Sequence, residues 1–332
     1  STIARHSKQS NLKGSGFGHR TDQQSNDRRR KLKRQHDPNK IYDIVTGQIL
    51  KALEAGTVPW KQPWSNRING FTLAQHNAFS KRAYRGINVF ILAAEKRSDP
   101  RWATYNQITK NGGNVKRGSK GTLVVFWKFL NVKKDKDDDT TGEKVTKRIP
   151  LLRYFNVFNV GDTEGLKLDP MQDPTDDDGF DAIAEAEAIA QGYLDNGPSI
   201  TFDGGGRAYY QKSNDSIHLP GRDQFENPQG YYDTLFHEIG HSTGHSDRLD
   251  RLTGERFGSH GYGREELVAE FTSAFLCSEA GIDQHVTGNQ AAYIDNWKRT
   301  IKADTRAVVI AAGKAQRAAD LVLAGGVMAI TA

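Results

Sequence analysis

The sequence predicts an α+β fold in two domains, a mixed first domain and a mainly helical second one. Length is the first sign, since 332 residues suit roughly two domains. A break in charge is the second. Residues 1–160 hold 32 Lys and Arg against 12 Asp and Glu, a balance of +20, whereas residues 161–332 carry −14. The third is a change of pattern: apolar runs of strand length occur in the first half, and helical spacing dominates the second. Residues 162–180 contain Pro170, Pro174 and the run Asp176, Asp177, Asp178, and read as an acidic linker.

Residues 1–38 are polar and end in a run of Arg and Lys. They cannot bury enough apolar surface to fold alone and read as a flexible basic arm that follows phosphates. The first domain spans residues 39–161. It opens with a helix over 41–55: Ile41, Ile44, Val45, Ile49 and Leu53 give it an apolar face, and Gly56 stops it. Val58-Pro59-Trp60-Lys61-Gln62-Pro63-Trp64 reads as a rigid extended loop presenting two indoles. Helices are expected at 87–96 and 105–111, strands at 122–130 and 151–160, and an exposed hairpin loop at 133–147. In the second domain, residues 181–332, Ala and Glu at helical spacing predict a helix over 181–194. Short strands follow within 200–219, then a helix through His237 and His241, another from Arg264, and two Ala-rich helices.

An apolar content of 36% supports real cores. No apolar run is long enough to span a bilayer, and the N-terminus has no apolar signal core, so the reading is a cytoplasmic protein with no membrane partner. Cys277 is the only cysteine; it excludes an internal disulfide and a Cys-based zinc site, and its apolar surroundings read as a packed thiol.

The densest chemistry lies in His237-Glu238-Ile239-Gly240-His241. Residues four apart on a helix share a face, so both imidazoles reach one metal ion. Glu238 stands beside them, where it serves as general base for a metal-activated water attacking a carbonyl. Zinc at a catalytic site takes three protein ligands and keeps one place for water. Two carboxylates compete for the third place. Glu266 and Glu270 lie four apart on an otherwise apolar helical stretch, so one would bind the metal and the other would orient a histidine through its second nitrogen. Asp247 ends an HExxHxxGxxD string in which Gly244 permits a return turn. Spacing favours Glu266 and keeps Asp247 as the alternative. Zinc is the expected ion, with Mn²⁺ the second choice. His245 and His260 read as surface or capping residues, and Tyr262 as an oxyanion donor or a packing residue. The strand Ser216-Ile217-His218-Leu219 is expected to offer an edge to an extended peptide.

The basic half points to a polyanion, nucleic acid above all. Four of the five Trp lie in residues 41–160. Single strands bind by stacking bases on aromatics while cations follow the backbone. Trp60 and Trp64 are assigned to stacking, Trp102 and Trp127 to the core. Lys116, Arg117 and Lys120 lie in a Gly-rich segment suited to phosphates, and Arg85 sits in a Tyr-Arg-Gly turn where it stacks or meets phosphate.

Several stretches carry a family resemblance. In the second half these are residues 217–220 (IHLP), 232–249 (YDTLFHEIGHSTGHSDRL) and 262–276 (YGREELVAEFTSAFL). In the first half they are residues 53–64 (LEAGTVPWKQPW), 84–88 (YRGIN), 102–121 (WATYNQITKNGGNVKRGSKG), 124–127 and 154–160 (YFNVFNV). Over residues 40–320 the chain resembles the ArdC-type antirestriction proteins. The resemblance implies a single-stranded-DNA-binding domain followed by a zincin-like, gluzincin-type metallopeptidase domain. It implies a protein that binds single-stranded DNA and shields incoming plasmid or phage DNA from restriction. It also implies a Glu ligand, which supports Glu266, and a protein substrate such as a host restriction component. In related zincins the residue four after that ligand is often Asp, where this chain has Glu270. The alternative is a DNA-tethered metalloprotease that removes proteins from DNA.

Overall fold

Helix α1 (Pro38–Glu54) repeats Ile41, Val45, Ile49 and Leu53 at a spacing of four, and all four are buried. Gly56, at φ +72°, turns the chain out of the helix. The computed structural model describes residues 38–61, 67–68, 71–72, 75–135, 144–169, 181–202, 205–252, 260–282 and 290–327. The arm at 1–37, Trp64, and linker residues 170–180 lie outside the described residues.

The first segment continues with β1 (Arg67–Ile68), β2 (Phe71–Thr72), β3 (His76–Asn77), α2 (Ile87–Ala93), β4 (Arg101–Thr104), α3 (Tyr105–Lys110), β5 (Asn114–Val115), β6 (Thr122–Asp135), β7 (Lys144–Asn159) and β8 (Thr163–Glu164). Thr104 and Gln107 cap α3 reciprocally, each side chain meeting the other's backbone N–H. One four-stranded sheet has the order β3-β4-β7-β6. β4 pairs with β7 only from Val157 to Asn159. β6 and β7 stay paired without a break from Thr122↔Val157 to Asp135↔Lys144. They therefore run on beyond β4 as a two-stranded arm.

This corrects the two ends of the loop expected at 133–147, which are strand at 133–135 and 144–147, while residues 136–143 lie outside the described residues. Charged positions still hold a ladder there, because hairpin pairing needs backbone partners and no buried face. Pro150 cannot donate to a third strand and suits a two-stranded stretch. Residues 163–168, expected in the linker, belong to the first segment instead. β8 pairs with β5, and Leu166 and Leu168 pack around Ala78, Ala103 and Ile108.

The second segment comprises α4 (Ala182–Leu194), β9 (Ser199–Phe202), β10 (Tyr209–Gln211), β11 (Ser216–Leu219), α5 (Pro228–Ser242), α6 (His260–Ala280), α7 (Gln290–Ala303) and α8 (Ala307–Leu323). Asp181 caps α4 by accepting from the N–H groups of Ile183 and Ala184. The small sheet has the order β10-β11-β9. β11 is thus central, paired antiparallel with β10 and parallel with β9. The free peptide edge expected at residues 216–219 is filled on both sides, and the outer strands are β9 and β10.

Residues 39–332 form one compact unit. A single core takes Ile41, Trp60 and Phe90 from the first segment and Phe271, Phe275 and Trp297 from the second. Trp60, assigned by sequence to base stacking, has 0% exposure. Its ring meets Phe271 edge-on at 4.8 Å and Trp297 at 5.2 Å. The two helical segments supply enough aromatic surface to bury the indole, which no local pattern in residues 58–64 reveals. Trp102 is buried as expected and donates to Gln75. Trp127, assigned to the core, is 45% exposed on the arm. Cys277 is buried, as expected.

Helices α5 and α6 approach closely at one point. A Cβ on Gly240 would stand 2.9 Å from Ala269 Cα and 3.1 Å from its carbonyl oxygen, both rigid backbone atoms. Gly240→Ala is therefore expected to destabilise the protein by about 1–3 kcal/mol, since the helices must part to admit the methyl. Urea unfolding that shows no shift in midpoint would contradict this packing.

Candidate metal centre

The two helices that meet at Gly240 also carry the site. Asn227 caps α5 by accepting from Gly230 N–H at 2.8 Å, and Pro228 starts the first turn. The buried face of α5 includes Tyr232, Leu235, Phe236 and Ile239, which fixes the rotation of the helix. His237 and His241 then face α6, their rings 4.9 Å apart and nearly perpendicular.

Opposite them stands Glu266 on α6. Its Oε2 lies 3.5 Å from His237 Nε2, and its Oε1 lies 3.5 Å from His241 Nε2. Donor atoms of all three residues lie within 4.8 Å of one another. Ligands held about 2.1 Å from a tetrahedral ion stand about 3.4 Å apart, so this donor set fits Zn²⁺ or a similar dication. Two imidazoles and a carboxylate suit zinc and also manganese. Asp247 is not part of the cluster. Its side chain is 81% exposed and pairs with His245 Nδ1 at 3.6 Å. The turn after Gly244 is made, but it ends at the surface.

The far sides of the rings are held as well. His237 Nδ1 lies 3.4 Å from Glu270 Oε2. Glu270 is anchored in turn by Lys61 Nζ at 3.0 Å, which also reaches Asp233 at 3.5 Å. Ser273 donates to Asp233 Oδ1 at 2.7 Å. His241 Nδ1 faces Glu265 Oε1 at 3.8 Å, and Arg251 clamps Glu265 at 2.8 Å. Arg251 also donates to Gly240 O at 2.7 Å and Thr243 Oγ1 at 2.8 Å, which ties the post-helix turn to α5. Such outer carboxylates fix the tautomer that leaves Nε2 free to bind a metal.

The charges balance by proximity. Burial alone would raise the carboxyl of Glu270, but Lys61 and then His237 bring it down to about 2. Burial is likewise overcome at Glu266, where His237, His241 and Tyr262 lower it to about 2. At His237 burial opposes the proton, yet Glu266 and Glu270 raise its pKa well above the usual imidazole value. The site thus concentrates negative charge where a cation is wanted. Tyr262 hydrogen-bonds Glu266, and burial and that carboxylate raise its phenol. Glu238 is buried beside the pair.

Sequence reasoning singled out His237, Glu238, His241, Glu266 and Glu270, and the structure brings them together. It gave no role to Glu265, Arg251, Asp233 or Lys61. Glu265 carried one faint signal, as the neighbour of Glu266. Lys61 carried none, because 209 positions of sequence separate it from Glu270.

On the first segment, Lys116, Arg117 and Lys120 are exposed around a turn at Gly118, whose φ is +89°. Lys116 Nζ donates to Gly161 O at 2.9 Å, and its backbone N–H donates to Asp162 O at 2.9 Å. Arg85 is exposed and pairs with Asp320 on α8. Among the described residues no helix is long and apolar enough to cross a membrane.

Fold and donor set together define a zincin-type metallo-domain packed against a mixed N-terminal domain. The family model for a zincin-like metallopeptidase matches residues 185–314, and that for the N-terminal domain of the anti-restriction factor ArdC matches residues 39–158. The metal-free crystal structure of the antirestriction protein ArdC from plasmid R388 is 37% identical, with a TM-score of 0.64 over 86% of this chain and 97% of that one. Its Mn(II)-bound structure gives a TM-score of 0.65 at 34% identity, with the same coverage. The DNA primase TraC of Escherichia coli is 38% identical over 87% of this chain. The chain spans only 20% of that relative's length. This protein belongs to the ArdC antirestriction family.

Lys61→Met removes the cation between two largely buried carboxylates. It is expected to destabilise the protein by about 3–5 kcal/mol, because Glu270 and Asp233 are left uncompensated. Lys61→Arg should recover part of that loss in the same denaturation series. Acid should act on the same pairs. The carboxyls of Glu266 and Glu270 are depressed from 4.5 to about 2, so their contribution is complete above pH 4.5 and disappears as the pH falls towards 2. Stability of the metal-free protein that stays constant from pH 5 to 2.5 would contradict this.

Proposed function

We propose that this protein binds single-stranded DNA in the cytoplasm, shields incoming DNA from host restriction, and carries a metal-dependent peptidase centre. The convergence of His237 Nε2, His241 Nε2 and the Glu266 carboxylate carries the metal part of this reading. His237, His241 and Glu266 would hold Zn²⁺, or Mn²⁺ as in the R388 relative. When bound, the ion acidifies a water and polarises a carbonyl. Glu238 takes the proton of the attacking water and returns it to the leaving amine. Tyr262, which hydrogen-bonds Glu266, would donate to the developing oxyanion. Glu270 and Glu265 keep the imidazoles oriented.

The DNA part rests on the N-terminal domain, the family, and the exposed Lys116, Arg117 and Lys120, with Arg85 beside α8; Trp64, also expected from the sequence to stack, lies outside the described residues. A DNA-tethered metalloprotease acting on DNA-bound proteins is the second reading. It is favoured by Lys61, which connects the segment carrying Trp64 to the metal helices.

Metal content separates the parts. Wild type should hold about one equivalent of zinc by elemental analysis, and His237→Ala close to none; near-zero metal in both would end the metal reading. Glu238→Gln should keep the metal and the DNA affinity. Protection of incoming DNA that survives this substitution identifies shielding as the working activity, and its loss identifies hydrolysis. Affinity for a dT oligonucleotide should fall steeply with salt, and charge reversal at Lys116, Arg117 and Lys120 should flatten that slope.

A further inference from the structure

We infer that the two-stranded arm of β6 and β7 is the base-stacking surface for single-stranded DNA. This inference deepens the DNA-binding part of the proposed function and depends on it. Three observations carry it. The first is aromatic exposure where a folded chain normally hides rings. Phe155 is 54% exposed, Phe129 48% and Trp127 45%, and all three lie on the arm. Phe126 and Phe155 stack in parallel across the two strands, with centroids 4.7 Å apart and planes 2° from parallel. Phe155 thus presents a ring already held in the orientation a base needs.

The second observation is where the sheet stops being covered. Asn88 on α2 closes the edge of β6 at Val125, donating to its carbonyl at 2.7 Å and accepting from its N–H at 2.8 Å. β4 leaves β7 at Val157. The exposed rings start just beyond both limits, at Trp127 and Phe155. The third is charge. β6 and β7 carry Lys128, Lys133, Lys134, Lys144, Lys147, Arg148 and Arg153 against Asp135 as the only acid within either strand. A protein-docking face of this size would place apolar surface among mixed charges. Rings spaced among cations of one sign match a strand of bases on a polyanionic backbone. Strand geometry adds a ruler, since residues two apart on one face repeat about every 6.8 Å, and the single strand can be followed along the arm.

The arm also resolves the loss of Trp60 as a stacking residue. Its indole lies in the core, while the arm offers rings that sequence reasoning assigned to packing. By the strand register Phe155 shares one face of the arm with Phe126 and Lys128, and Trp127 shares the other with Phe129, so the arm offers rings for base stacking on both faces, with Lys128 beside Phe155 for phosphate contact.

Replacing rings by leucine tests this without removing apolar bulk. Trp127→Leu with Phe155→Leu keeps a hydrophobic surface for any protein contact and removes the π faces. Binding of a labelled dT oligonucleotide, read by anisotropy, should weaken at least about tenfold for the pair. Tryptophan emission of the wild type should be quenched on binding, and Trp127→Leu alone should remove most of that quench. Lys128→Glu should weaken binding further at low salt than at high salt. Unchanged affinity in the leucine pair, alongside lost affinity after charge reversal at Lys116, Arg117 and Lys120, overturns the arm and leaves the DNA-binding reading standing. A wild type with no affinity for the oligonucleotide overturns both. Should the leucine pair leave DNA affinity intact while a wild-type dimer, seen by light scattering, is lost in an alanine pair, the surface is a self-association face and the inference is overturned.

Discussion

Everything at the metal centre depends on how near two helices can come. Gly240 lets α5 rest against the backbone of α6 at Ala269. At that separation Glu266 stands 3.5 Å from both Nε2 atoms. A side chain at position 240 would move the carboxylate outward and open the gap a single ion must bridge. The spacing His-x-x-x-His supplies two donors on one face, but only this contact brings the third.

Holding that arrangement costs electrostatic energy, because Glu238, Glu265, Glu266 and Glu270 crowd two imidazoles. The protein offsets the crowding with two cations from outside the helix pair. Arg251 neutralises Glu265 and anchors the turn after α5. Lys61 neutralises Glu270 and comes from the first segment. The metal-binding half therefore does not complete its own surroundings. Trp60 and Lys61 are adjacent residues that enter the second segment together, one into its aromatic core and one into its charge network. The two family domains share a core as well as a chain, so a change at Trp60 or Lys61 reaches the metal helices directly.

The first segment divides its aromatic residues between two tasks. Trp60 and Trp102 support packing, while Trp127 and Phe155 remain accessible. Composition alone treats these rings alike. The difference arises from whether a neighbouring element covers them, and on the arm none of the paired strands extends far enough.

The sequence by itself determined the helix periods, the paired histidines with Glu238 between them, the charge break and the preference for Glu266. Each is local, set by spacing along one element or by composition. Tertiary structure alone decided what lies far apart in the chain: Lys61 against Glu270, Trp60 inside the core, β11 in the centre of its sheet, and Asp247 at the surface. The physical reason is that coverage and ion pairing are properties of the surface that arrives from elsewhere, and a residue's own flanks carry no record of it.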